Sequence, residues 1–308
     1  MNNDILIVGT NQQLRAALRA VAQNNQEFKD IRILSWGQDK NCHENNLEIN
    51  TFIKQNQPQY VIHMGLPRPL STTNCSDKYP NRYKEHIDEV GQLLKTISEL
   101  EIKPHYLYCS SSDIYDCNPT ITIAKETSPL NTSKEESKCL ISCENMIIEQ
   151  ASIHNIPSSI ARLFESTYPN FFGKHPLYHY CTQINTIKWG IRPAEIWVGN
   201  LNSYYDFLEI KDVARALLKM VQNRNTRGEI YNVASGEASC LFDLVAELIR
   251  ISGIAVDMHV DVLREELEIT PNIIGNNQKI VTETSWSPEQ TFISSLSNFL
   301  GENNHKST

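Results

Sequence analysis

The chain has 308 residues, 40% of them hydrophobic and 21% charged, with a formal net charge of −8 and a pI near 5.6. That length suits one large globular domain or a core with a smaller appendage, and the acidic balance excludes a general nucleic-acid footprint. Nothing resembles a membrane span, and the opening MNNDILIV lacks a basic segment ahead of an apolar core, so neither a membrane partner nor a signal peptide is expected.

In chain order, short apolar strands alternate with helical patterns. Asp4–Val8 reads as a strand, Gly9 as a turn and residues 12–23 as a helix. Strands follow at Ile31–Ser35, Tyr60–His63, His105–Cys109 and Ser158–Leu163, with helices over 48–57, 80–100 and 135–153 between them. This alternation predicts an α/β fold, a Rossmann-like doubly wound parallel sheet with helices on both faces. After Leu163 the rhythm changes. Residues 165–205 predict loops with a helix near 179–190, followed by helices at 211–222 and 239–252 around the strand Ile230–Val233. The expected organisation is a dinucleotide-binding-type core over 1–163 and a small C-terminal α/β substrate subdomain, mainly 164–300. Some strands and helices of the latter return to the core, and 301–308 forms a disordered tail. The ligand cleft is expected at the carboxyl ends of the strands.

Eight cysteines are scattered without a CxxC pair, which predicts reduced thiols in a cytoplasmic protein. Cys139 and Cys143 share a helix face, and His175 and His179 stand four apart in an aromatic-rich stretch. Neither pair has further ligands at suitable spacing, so packing is expected of the first and a pocket lining or dimer surface of the second. No metal site is expected.

Three segments in order, VGNLNSYYDFLEIKDVARALL (198–218), GEIYNVASGEASCLFDLVAELI (228–249) and LREELEITPNIIGNNQKIVTETSWSPE (263–289), closely resemble the extended short-chain dehydrogenase/reductases that modify nucleotide sugars. The resemblance covers nearly the whole chain. It implies a nucleotide-sugar substrate from deoxyhexose or surface-polysaccharide metabolism and a tightly held NAD or NADP. Hydride exchange with a sugar carbon would go with a tyrosine that moves the hydroxyl proton, a lysine four residues later, and a serine or threonine that orients the substrate oxygen. It also implies a dimer built from the helices near 80–100 and 135–153, either a homodimer or a hetero-oligomer with an active relative.

On these motifs the chain keeps some groups and changes others. The family's GxxGxxG cradle falls on Gly9, Gln12 and Arg15. Gly9 can make the tight turn, Gln12 brings a side chain to where backbone meets pyrophosphate, and Arg15 must point away or push the helix outward. His63 ends the third strand, where family members also carry histidine; it joins the cofactor-binding candidates by position and is expected to be structural. In YCSSSDIYD (108–116) the substrate-orienting hydroxyl falls on Ser111, with Asp113 at the position of the dehydratases' glutamate base. In SPLNTSKEESKCL (128–140) Lys138 matches the family lysine, but Lys134 stands at the tyrosine position, where it adds like-charge repulsion. His86 falls at the family's asparagine. The substrate-binding positions carry Arg162, Glu165 and Tyr205, and Arg264 survives near the diphosphate site. Replacing phosphate-gripping arginines by Tyr and Glu removes charge-assisted hydrogen bonds of about 1.5–3 kcal/mol each.

The expected reading is a family member without standard tyrosine-dependent redox catalysis, serving as a binding or partner subunit. The alternatives are an active 4-keto reductase or epimerase with a rebuilt proton donor, Tyr115 or Lys134, and a non-redox enzyme in the same cleft.

Overall fold

The computed structural model describes residues 3–9, 11–35, 46–65, 81–116, 121–167, 176–261, 272–291, 296 and 300. The strand β1 (Asp4–Val8) carries four aliphatic residues after Asp4 and is buried on both faces, as the centre of a parallel sheet requires. The helix α1 (Gln12–Asn24) starts where the Asn11 side chain accepts the Leu14 amide at 2.9 Å, and it buries Leu14, Ala17, Leu18 and Val21 at helical spacing. In order then come β2 (Arg32–Ser35), α2 (Asn46–Asn56), β3 (Tyr60–Met64), α3 (Arg82–Ser98), β4 (His105–Ser111), β5 (Thr122–Ala124), α4 (Glu135–His154), β6 (Ser158–Leu163), β7 (Glu165–Thr167) and α5 (Pro176–Lys188). The chain continues through β8 (Glu195–Val198), β9 (Tyr204–Tyr205), β10 (Phe207–Glu209), α6 (Ile210–Gln222), β11 (Ile230–Val233), β12 (Ser239–Cys240), α7 (Leu241–Ser252), β13 (Asp257–Val260), β14 (Ile273–Gly275) and α8 (Gln278–Thr284).

Six strands form the central parallel sheet in the order β11-β6-β4-β3-β1-β2. Alternate side chains serve two cores. Ile5, Ile7, Ile62 and Leu107 face α1 and α6, whereas Leu6, Val8, Val61, Tyr106 and Tyr108 face α2, α3 and α4. Cys139 and Cys143 are buried in the second of these cores. A third core joins α5, β8, β10 and α7, and a fourth joins Ile114, Tyr115, Ala124, Phe164 and Ala234 at the carboxyl edge. Among the small strand pairs β7–β10, β5–β14, β9–β12 and β8–β13, the strands β7, β8 and β9 fall where aromatic-rich sequence suggested loops. Among the described residues, α5 begins at Pro176, earlier than its periodicity indicates. No helix among them is long and apolar enough to cross a membrane. The predicted tail at 301–308 lies outside the described residues.

The chain leaves β1 toward β2 and returns on the other side to β3, which makes the β1–β3 boundary the switch point where a crevice opens. Backbone packs closely there. Gly9 has φ +109°, and a Cβ on it would lie 2.8 Å from the Met64 carbonyl oxygen. A Cβ on Gly65 would lie 2.1 Å from the Cys109 carbonyl oxygen. Side chains are therefore excluded at both positions.

His105 and His63 are buried in the sheet, and burial pushes both imidazoles down from 6.5 to about 4. Their neutral forms stabilise the fold above the unfolded-state value, and that contribution is lost as pH falls through the folded value, at roughly 3 kcal/mol each. Urea unfolding between about pH 7 and about pH 4.5 is expected to show a steadily falling midpoint. His105→Gln should flatten the fall, and an unchanged slope in that variant would contradict the assignment.

Candidate functional site

The carboxyl edge of the sheet collects most of the sequence-predicted site residues. At the end of β1, the buried Arg15 side chain folds back over the turn and its guanidinium donates to the Gly9 carbonyl. It thus does not point away from the turn but meets the carbonyl that the turn leaves open. Gln12 is exposed at the first residue of α1. His63 stands near the end of β3, paired in register with Val8 and Tyr108.

Next along the edge, Ser111 ends β4 and caps a single helical turn. Its hydroxyl donates to the Asp113 carboxylate at 3.0 Å and accepts the Asp113 amide at 3.2 Å. The buried Ser137 hydroxyl donates to the Asp113 carbonyl at 2.7 Å, which draws the head of α4 against this turn. The structure therefore brings Ser111 and Asp113 together with the segment that carries Lys134 and Lys138. Lys134 is the exposed residue just before α4, and its amide donates to the Asn131 side chain at 3.2 Å. Lys138 is also exposed and donates to Glu135 at 2.6 Å.

Tyr115 lies behind this edge, 1% exposed. Its hydroxyl donates to the Asn232 side chain and accepts from Arg162 at 3.1 Å, and burial pushes the phenol up. In this arrangement its hydroxyl is engaged on both sides and ties β11 to β6. Arg162, 3% exposed, binds Glu144 through two nitrogens at 3.1 and 2.7 Å and the Glu126 carbonyl at 2.9 Å, with its guanidinium 5.0 Å from the Tyr115 ring centre. Its donors are thus directed into the protein. Tyr205 is 7% exposed and stacks on Phe207, with ring centres 5.4 Å apart, inside the third core. Glu165 is partly buried at the start of β7, and Arg264 lies outside the described residues. The network of Tyr115, Glu126, Glu144 and Asn232 was not read from the sequence. Its one signal is Glu144, a carboxylate on the otherwise small and apolar buried stripe of α4 formed by Cys139, Leu140, Cys143 and Ile147.

A second hub closes the C-terminal part onto the sheet. The buried Asp206 carboxylate accepts from the Ser235 amide and hydroxyl at 2.7 and 2.6 Å, the Gly236 amide at 3.0 Å and the Gly275 amide at 2.9 Å. Burial pushes its pKa up, against the pull of these donors.

A doubly wound sheet with a built carboxyl edge defines a Rossmann-like α/β protein. The chain belongs to the NAD dependent epimerase/dehydratase family, whose model matches residues 12–234. Among curated proteins it is 23% identical to GDP-6-deoxy-D-mannose reductase of Pseudomonas aeruginosa over 68% of this chain and 69% of that one. Its fold is similar to the structure of RMD from Pseudomonas aeruginosa complexed with NADPH, at a TM-score of 0.81, 18% identity and coverage of 97% and 98% of the two chains. It is also similar to a putative epimerase from Burkholderia cenocepacia J2315, at a TM-score of 0.76, 19% identity and 97% of each chain.

The Arg162–Glu144 pair is expected to behave as a buried ion pair. Glu144→Leu alone should cost about 3–5 kcal/mol by leaving the guanidinium unpaired, and the double variant Arg162→Met/Glu144→Leu should recover most of that loss. Urea unfolding checks both, and a double variant as unstable as the sum of the singles would refute the pairing argument.

Proposed function

We propose that this chain is a member of the family that has kept the nucleotide-sugar scaffold and lost tyrosine-dependent NAD(P) redox catalysis, acting in the cytoplasm as a binding or partner subunit. The observation that carries this is Lys134, exposed at the head of α4 where the family places its proton-transferring tyrosine. An ammonium on that flexible, solvated stem is a poor substitute for a phenol held beside a lysine. Lys138 engages Glu135, a surface partner that draws it from a ribose.

The β1–α1 turn supports the same reading. A dinucleotide held in the family manner needs one glycine for the tight turn, a second to let backbone approach the pyrophosphate and a third for close helix–strand packing, and here only Gly9 remains. Gln12 occupies the second position, and Arg15 at the third is committed to the Gly9 carbonyl. These residues do not fit NAD or NADP bound in that mode, and we derive no step through either. The ligand class that remains is a nucleotide sugar or a related small molecule, and the partner is a second copy or an active relative meeting it through α3 and α4. The likeness to GDP-6-deoxy-D-mannose reductase favours deoxyhexose or surface-polysaccharide metabolism as the setting.

The competing reading is an active NAD(P)-dependent 4-keto reductase or epimerase with a rebuilt donor. It draws on the Ser111–Asp113 turn, which is intact and held against the head of α4. Turnover separates the two. The purified chain, mixed with GDP-4-keto-6-deoxymannose and NADPH or NADH, is expected to consume no reduced nicotinamide beyond the protein-free rate. Consumption that disappears in Ser111→Ala would overturn the proposal.

A further inference from the structure

We propose that His63, His86 and Glu89 form a binding site for a divalent transition-metal ion of the zinc class, between the end of β3 and α3. The three come from two elements. His63 projects from β3 onto the face of the sheet that carries Tyr106 and Tyr108, and His86 and Glu89 stand one helical turn apart on α3 above it. Their ligand atoms, one from each residue, all lie within 4.8 Å of one another. His63 Nε2 is 3.9 Å from one Glu89 oxygen, and His86 Nδ1 is 3.6 Å from the other. Zinc bonded to three tetrahedrally disposed ligands at ~2.0–2.1 Å holds them about 3.3–3.5 Å apart, so small side-chain rotations suffice.

Two observations point to a ligand and not to packing alone. His63 is fully buried, and its Nε2 has no hydrogen-bond partner although it faces this cluster. A buried polar atom left in that state is costly unless something satisfies it. The far side of each imidazole is also held by a phenol. The Tyr106 hydroxyl is 2.6 Å from His63 Nδ1, and the Tyr108 hydroxyl is 2.9 Å from His86 Nε2. A proton on each of those nitrogens, donated to its phenol, leaves the lone pairs of His63 Nε2 and His86 Nδ1 turned toward Glu89. Outer partners of this kind fix the tautomer of metal-ligating histidines.

Two imidazoles and one carboxylate suit zinc among the common divalent ions, and three protein ligands leave a fourth position for water. Glu89 is 26% exposed, so the ion has a path in along α3, and the fourth position opens on that side. A structural account alone would have the histidines merely filling space between sheet and helix. It leaves the buried His63 Nε2 without a hydrogen-bond partner.

The test is metal titration of the full chain. Protein stripped with a chelator and dialysed is titrated with zinc against a chromogenic chelator, and in parallel with cobalt(II) followed by its visible absorption. One ion per chain is expected, with the intense ligand-field bands of four-coordinate cobalt and a rise in the thermal midpoint. Glu89→Gln changes a partly exposed side chain and keeps the fold, as circular dichroism without metal will check. It should weaken zinc at least about 100-fold and abolish the midpoint rise. Tyr108→Phe, which keeps all three ligands, should weaken it roughly tenfold. No stoichiometric ion, or binding equally tight in wild type and Glu89→Gln, would overturn the proposal, the latter by showing adventitious capture at the chain's other histidines and thiols.

Discussion

The guanidinium of Arg162 decides where the working edge of this protein sits. Arg162 reaches from β6 to Glu144 on α4, to the carbonyl of Glu126 and to the hydroxyl of Tyr115, which in turn binds Asn232 on β11. A charge this deeply buried is tolerable only when its donors are met, so strand, helix and two loops are held in one arrangement. Ser137 on the same helix then fixes the Ser111–Asp113 turn. The position of Lys134 relative to that turn is thus a consequence of a core ion pair, and substituting Lys134 leaves that pair untouched.

The sheet was largely legible in the sequence. Runs such as DILIV and YVIHM are predominantly apolar and buried on both faces, as interior parallel strands must be, and the intervening helices carry buried residues at helical spacing. The region after Leu163 was much less so. Its strands have two to four residues and pair with partners 40 or more residues away in β7–β10 or about 150 away in β5–β14, so no local pattern marks them. At the site, motif spacing singled out Gly9, Ser111, Asp113 and the Lys134–Lys138 pair as candidates. It could not show that Arg162 and Tyr205 turn inward, because the sequence around a strand residue does not say what waits on the facing helix. Arg264 falls outside the described residues.

The same limit explains why His63, His86 and Glu89 escaped notice as a group. Spacing rules for metal ligands look for close pairs in the chain, and His63 lies more than twenty residues from His86. Only the parallel register, which sets His63 beside Tyr108, and the rotation of α3, which sets His86 over them, bring the three together. The cluster lies near the switch point, and it draws on His63, where family members also carry histidine, and on His86, at the family's asparagine position.

With Gln12 exposed and Arg15 bound to the Gly9 carbonyl, the β1–α1 turn is proposed no longer to hold a dinucleotide. Calorimetric titration with NAD+, NADH, NADP+ and NADPH tests it most directly, after a denaturation step that reveals any cofactor carried through purification. The account predicts no carried cofactor and no measurable heat of binding for any of the four. Micromolar or tighter binding of even one would contradict it, because it would mean that Gln12 and Arg15 move aside for a pyrophosphate.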